Sequence, residues 1–114
     1  MTIEDVERYC LSLRAAVAER PFGPSLLVFK VGGKIFALLN EAEANVSFKA
    51  SDIANELLRE QGRARRAPYL PRGGWLNVEH LDDWDQDELN DLILWSYQRV
   101  SASLTRQARK DLGL

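Results

Sequence analysis

The chain is poor in the residues that usually carry chemistry. It holds one cysteine, Cys10, and one histidine, His80. A single thiol excludes an internal disulfide and fits a reducing compartment. One Cys and one His are also too few ligands for a zinc site. No apolar run approaches the roughly 18 residues of a membrane span. No basic-then-apolar start marks a secretory signal. A cytoplasmic protein with no membrane contact is expected. Repeats and low-complexity linkers are missing as well, so the 114 residues read as one domain over 1–114.

A strong net charge is also lacking. The formal charge is -2 and the pI about 5.4, which counts against strong DNA binding by the whole surface. The charges are unevenly placed, however. Arg59, Arg63, Arg65, Arg66 and Arg72 precede Trp75. Acids dominate from Glu79 to Asp91, and Arg99, Arg106, Arg109 and Lys110 make the end basic again. A near-neutral total can therefore hide a basic face and an acidic one.

What is present is an ordinary globular pattern, 46% hydrophobic and 28% charged. Thr2 can cap a first helix, with Asp5 in the capping-box position. Ile3, Val6, Cys10, Leu13 and Val17 form its stripe. "RPFGP" (Arg20 to Pro24) breaks it. Leu26 to Val31 and Lys34 to Leu39 read as strands joined by Gly32-Gly33, a pair suited to a tight primed turn. Asn45 to Lys49 alternates, with Val46 and Phe48 on one face. Ser51 or Asp52 caps a second helix whose apolar face is Ile53, Ala54, Leu57 and Leu58, and Gly62 ends it. A second hairpin is expected from Arg65 to Leu70, a turn at Pro71 to Gly74, and Trp75 to His80. Asp85 and Glu88 are spaced to cap a last helix with the stripe Leu89, Leu92, Ile93, Ser96, Val100 and Leu104. Leu94 and Trp95 lie off that stripe. The expected fold is α+β, a two-layer sandwich of helices on a five-strand antiparallel sheet, in the order α-β-β-β-α-β-β-α.

Catalytic and ligand motifs fail one by one. Lys34 follows Gly33, but Val28 stands where a Walker loop needs its first glycine and Ile35 where it needs Ser or Thr. "DWDQDE" (Asp83 to Glu88) has alternating acids, yet Glu88 and Leu94 stand where a calcium loop needs Gly and a bidentate Glu. These acids suit a helix N-terminus. Nothing places a serine in a nucleophile elbow. Cys10 sits on a buried stripe as a small hydrophobe. His80 alternates with Leu76 and Val78, which implies partial burial and a structural role. No enzyme activity and no cofactor are expected.

Two features remain. In a two-residue hairpin, opposed residues share a face. Val31 then faces Lys34, Lys30 faces Ile35, and Phe29 faces Phe36. Leu27, Phe29, Val31, Lys34, Phe36 and Leu38 share one side, and Val28, Lys30, Ile35 and Ala37 the other. The two lysines leave opposite faces, so they do not converge on one anion. The second feature is basic and aromatic. Arg63, Arg65, Arg66 and Arg72 flank a strand that starts at Trp75, and alternation puts Trp75 on the open face. Arginines beside an accessible aromatic can hold phosphates and stack on bases. The alternative is that Trp75 is packed and the arginines pair with the acidic segment.

"PFGPSLLVFKVGGKIFALL" (Pro21 to Leu39), Lys49, "APYL" (Ala67 to Leu70) followed by Trp75, and "SYQRV" (Ser96 to Val100) resemble the bacterial MmcQ/YjbR family of small proteins, in order and over nearly the whole chain. Gly73-Gly74 departs from the family's usual lysine or histidine before the tryptophan. The resemblance implies a compact α+β domain similar to type III secretion chaperones and no catalytic residues. It also implies a double-wing DNA-binding surface made by two hairpins, here those of Gly32-Gly33 and Pro71 to Gly74. Double-stranded DNA is then the expected partner of a monomer. The candidate contacts are Lys30, Lys34, Lys49, Arg65, Arg66, Arg72 and Trp75. The alternatives are a protein-interaction or chaperone-like module, suggested by Leu94 and Trp95, and a small-molecule pocket between sheet and helices.

Overall fold

The computed structural model describes residues 1–68, 70 and 72–114. Tyr69 and Pro71 lie outside the described residues, and with them part of the expected second hairpin.

Local signals place the first elements. Helix α1 (Ile3–Ser12) starts at Thr2, whose hydroxyl accepts the Asp5 N–H while the Asp5 carboxylate accepts the Thr2 N–H. These bonds hold the Asp5 carboxyl below the usual carboxylate range. Val6 and Cys10 are fully buried. Burial pushes the Cys10 thiol up to about 12. The expected stripe overruns the helix, however. The chain turns at Ala15 (φ 62), and exposed Val17 begins strand β1 (Val17–Glu19). β1 gains a ladder with the strand that follows, a long-range pairing that helical spacing does not register.

The sheet has six antiparallel strands rather than five: β1, β2 (Leu26–Val31), β3 (Lys34–Asn40), β4 (Asn45–Lys49), β5 (Arg65–Arg66) and β6 (Trp75–Val78). Their spatial order is β1-β2-β3-β4-β6-β5. Gly32 (φ 58) and Gly33 (φ 80) supply the two positive φ angles of the β2–β3 turn. The second hairpin is short. β5 is two residues long, not a strand reaching Leu70, and β6 ends at Val78.

One irregularity decides the faces. Val31↔Lys34 and Lys30↔Ile35 pair as the turn requires, but Phe29 then pairs with Ala37. Phe36 is the extra residue of a β-bulge. Beyond it the alternation is inverted. Phe36 and Ala37 both enter the core, and Leu38 moves to the opposite face, the reverse of the expected placing of Ala37 and Leu38.

Helix α2 (Asp52–Glu60) is capped by Ser51, which accepts the Ala54 N–H. At its end the Gly62 and Arg63 N–H groups bond Arg59 and Leu58, a Schellman pattern made possible by Gly62 at φ 71. Asp85 caps α3 (Gln86–Ala102), after a 3-10 turn at Leu81–Asp83. The single last helix expected is in fact two. α3 stops at Ser103, and Thr105 caps α4 (Arg106–Leu112) through the Ala108 N–H.

The helices cover one face of the sheet. Phe29, Phe36, Phe48, Leu39 and Leu76 are fully buried there, and Tyr97 of α3 meets Phe36 edge-on at 5.3 Å. Ser96 of α3 donates to the Phe36 carbonyl (2.7 Å) and accepts the Lys49 N–H (2.9 Å). Phe36 and Lys49 are the next pair after Ala37↔Phe48, so the hydroxyl stands where the β3–β4 ladder would have continued. Among the described residues no helix covers the other face.

Candidate functional site

Antiparallel pairing brings the two expected wing turns to one end of the sheet. β3 starts at the Gly32-Gly33 turn, β4 returns to that end at Lys49, and Lys49 pairs with Trp75, just after Gly73-Gly74. Neither turn stands clear of the body. A Cβ on Gly32 would lie 2.6 Å from the Leu104 side chain, so this tip is seated on the α3–α4 junction. The Gly74 carbonyl accepts from the Ala50 N–H (3.0 Å) and Asn55 Nδ2 (3.1 Å), which ties the second turn to the start of α2.

The seven candidate contacts fare differently. Lys34 Nζ reaches the Ser103 carbonyl (3.4 Å) and hydroxyl (3.2 Å), a cation at the negative end of α3. Lys30 pairs with Glu19 of β1 at 2.9 Å. Arg65 Nε meets Glu79 (3.1 Å) and Asn77 (3.2 Å). Lys49 Nζ stands 5.8 Å from the centre of the Trp75 ring. Trp75 is only 9% exposed, so it is not the open stacking platform that alternation suggests. It does point away from the helix-covered core, but Gly73 and the Lys49 stem lie near it there. Arg66 and Arg72 are exposed and make no ion pair among the described residues. Arg63 follows the alternative reading, pairing with Glu88 while its guanidinium lies 4.2 Å from the Trp84 ring centre. Lys49, Arg72 and Trp75 thus come together at one turn, Lys34 belongs to the other, and Lys30 and Arg65 sit elsewhere on the bare face.

The catalytic inventory is equally thin. His80 is exposed, because β6 ends two residues before it and the expected alternation does not reach it. Among the described residues no group of three or more His, Cys, Asp or Glu is placed to hold a metal ion. Among those residues no helix is long and apolar enough to cross a membrane.

A different surface is left open between α2 and α3. The expected α2 face enters the core only along Ala54 and Leu58, because the helix lies at the sheet's flank and presents one narrow side to it. Ile53 remains 80% exposed and Leu57 49%. Ile53 and Leu57 are four apart, so they share one exposed face of α2. Ala54 lines a shallow groove of about 260 Å³ with Ala50, Leu92 and Trp95, and Glu88 and Asp91 stand at its rim. Trp95 is 38% exposed. Leu94, the other residue off the α3 stripe, is instead half-buried against the core. Sequence reading found Trp95 but missed Ile53 and Leu57. The signal was there: four apolar positions span a wide arc for a helix this short.

The YjbR family model matches residues 11–99. An uncharacterised Escherichia coli O157:H7 protein, YbdF, is 32% identical over 111 residues, covering 94% of this chain and 90% of its own. Among solved structures, a Deinococcus radiodurans protein with a DUF419 domain has a TM-score of 0.89 at 27% identity, covering 99% of this chain and 88% of its own. A Pseudomonas syringae protein shares the fold at a TM-score of 0.73 and 18% identity, over 88% of this chain and 99% of its own.

Proposed function

The chain belongs to the YjbR family, and on that footing we propose that it is a non-catalytic cytoplasmic binding protein whose partner is a protein segment seated in the α2–α3 groove. The observation that carries this is the groove of Ala50, Ala54, Leu92 and Trp95, together with the exposed apolar pair Ile53 (80%) and Leu57 on the same helix α2. A fully exposed Ile forgoes roughly 1.5–3 kcal/mol of burial free energy that a partner can recover. An apolar anchor seated between α2 and α3, with a basic flank meeting Asp91, matches the groove's chemistry, since Glu88 is already held by Arg63. A non-catalytic role is supported by the Cys10 thiol, which is buried and protonated at neutral pH. The test is a photo-crosslinking residue at position 53 in cells, with position 107 on α4 as control. A discrete adduct from 53 that disappears with Trp95→Glu is expected. No discrete adduct, or the same one from 107, removes the reading.

Double-stranded DNA is a second reading, favoured by the shared end of the two hairpin turns together with exposed Arg66 and Arg72. With Lys30, Lys34 and Arg65 already engaged, two or so phosphate contacts remain. Binding is then weak, with a log–log salt slope of about -2. Labelled duplex at low salt should show saturable binding that Arg66→Glu/Arg72→Glu abolishes. A flat titration ends this reading.

A further inference from the structure

The bare face of the sheet is not simply solvated. It holds a cavity of about 470 Å³, within the size range of small-molecule sites. The floor is apolar, made by Leu26, Ile35 and Leu38, and Phe22, Pro68 and Leu70 lean over it. The bulge at Phe36 creates this floor, because it turns Leu38 out of the core side. One wall is polar and buried: Asn45 and Ser47 are 8% exposed and Asn77 3%.

The hydrogen bonds of that wall show what is left for a ligand. Asn77 Nδ2 spends both hydrogens, on Asn45 Oδ1 (3.1 Å) and Ser47 Oγ (2.9 Å). Asn77 Oδ1 accepts from Arg65 Nε (3.2 Å), and Asn40 Oδ1 accepts from the Glu43 N–H (3.1 Å). Asn45 Nδ2 gives one hydrogen to Glu43 (3.3 Å). Each carboxamide oxygen of this wall already holds one partner, and Glu43 keeps an open carboxylate oxygen. The donors with hydrogens to spare are the Ser47 hydroxyl, the Asn40 amide, the second hydrogen of Asn45 Nδ2 and the two terminal nitrogens of Arg65. Among the described residues none of these spare hydrogens has a partner.

Charge narrows the ligand further. Arg65 is matched by Glu79, and Glu43 stands at the rim of the cavity, so the site has no surplus positive charge to reward an anion. A cation drawn by Glu43 would offer no acceptor to the spare hydrogens of Asn40, Asn45 and Ser47. We propose that this cavity binds an uncharged, mainly apolar small molecule whose carbonyl or amide oxygen accepts from Ser47 and its neighbours. This site is separate from the α2–α3 groove and does not depend on it.

The probes are 1-naphthaleneacetamide, 1-naphthaleneacetate and 1-naphthylmethylammonium, with one aromatic body and neutral, negative or positive heads. Amide resonances of the full chain are followed by NMR during each titration. Saturable shifts at Leu38, Ser47 and Asn77 are expected with the neutral probe, about tenfold tighter than with the charged two. Ser47→Ala should erase that preference while leaving the apolar contact. Ile35→Trp, which fills the floor, should abolish all three titrations with the remaining spectrum unchanged. If the tryptophan variant does not fold, Ser47→Ala still decides. No saturable shift at these amides, equal affinity for the three heads, or an unchanged preference in Ser47→Ala overturns the proposal.

Discussion

The two faces of the sheet are built by the same strands and end up with opposite fates. On one, Phe29, Phe36 and Phe48 are sealed under helices, and the polar groups present complete backbone bonds, as Ser96 does. On the other, Leu26 and Leu38 share a half-covered cavity with Asn45, Ser47 and Asn77. Composition already separates them: the covered strand residues run apolar from Leu27 to Val78, while the bare side mixes Leu26, Ile35 and Leu38 with Asn40, Asn45, Ser47 and Asn77. Coverage completes the difference. A packed face converts apolar area into stability, and a half-covered face keeps some of it for recognition.

The largest test of this contrast is chemical. Cys10 should react with a disulfide reagent at least ~10³-fold more slowly in the native protein than in urea, because exposure requires unfolding. Labelling at the rate of a free thiol would show that the covered face opens. The pH dependence has a defined sign. The folded thiol titrates at about 12, above its ordinary value of about 9. Its contribution to stability is therefore intact below about 9 and lost as pH rises toward 12. Unfolding midpoints across that window check it.

Substitutions sharpen the same contrast in urea denaturation. Phe36→Ala should cost roughly 3–5 kcal/mol, as expected for a sealed aromatic. Ser96→Ala should cost about 1–3 kcal/mol, because the Lys49 N–H and Phe36 carbonyl lose their shared partner. Leu38→Ala, on the cavity side, should cost only about 1 kcal/mol, since part of its surface is already wet. A Leu38 value equal to that of Phe36 would mean the bare face is packed. Arg66→Glu/Arg72→Glu should leave stability within about 0.5 kcal/mol, as surface changes usually do. A larger loss would give these arginines a structural role.

Local features were legible from sequence. The capping box of Thr2 and Asp5, the Gly32-Gly33 turn, the limits of β4, the Ser51 and Asp85 caps and the Gly62 ending each depend on residues within about five positions of one another. The candidate site was less legible. The seven candidate contacts follow from the family resemblance and the placing of charge, yet Lys34 meets Ser103, Arg65 meets Glu79 and Trp75 is covered. An exposed arginine and an arginine bound to a distant carboxylate look alike in a sequence.

The sequence alone therefore determined the α+β class, the starts of α1, α2 and α3, the first hairpin and the burial of Cys10, because backbone capping, positive φ and side-chain periodicity act over one or two turns of chain. Only the tertiary structure decided that Val17 joins an edge strand, that Phe36 bulges and sends Leu38 outward, that Ile53 stays exposed and that the wing turns are seated on the body. Each of these depends on a partner many residues away, and the free energy of burial and ion pairing is set by whatever the fold brings alongside.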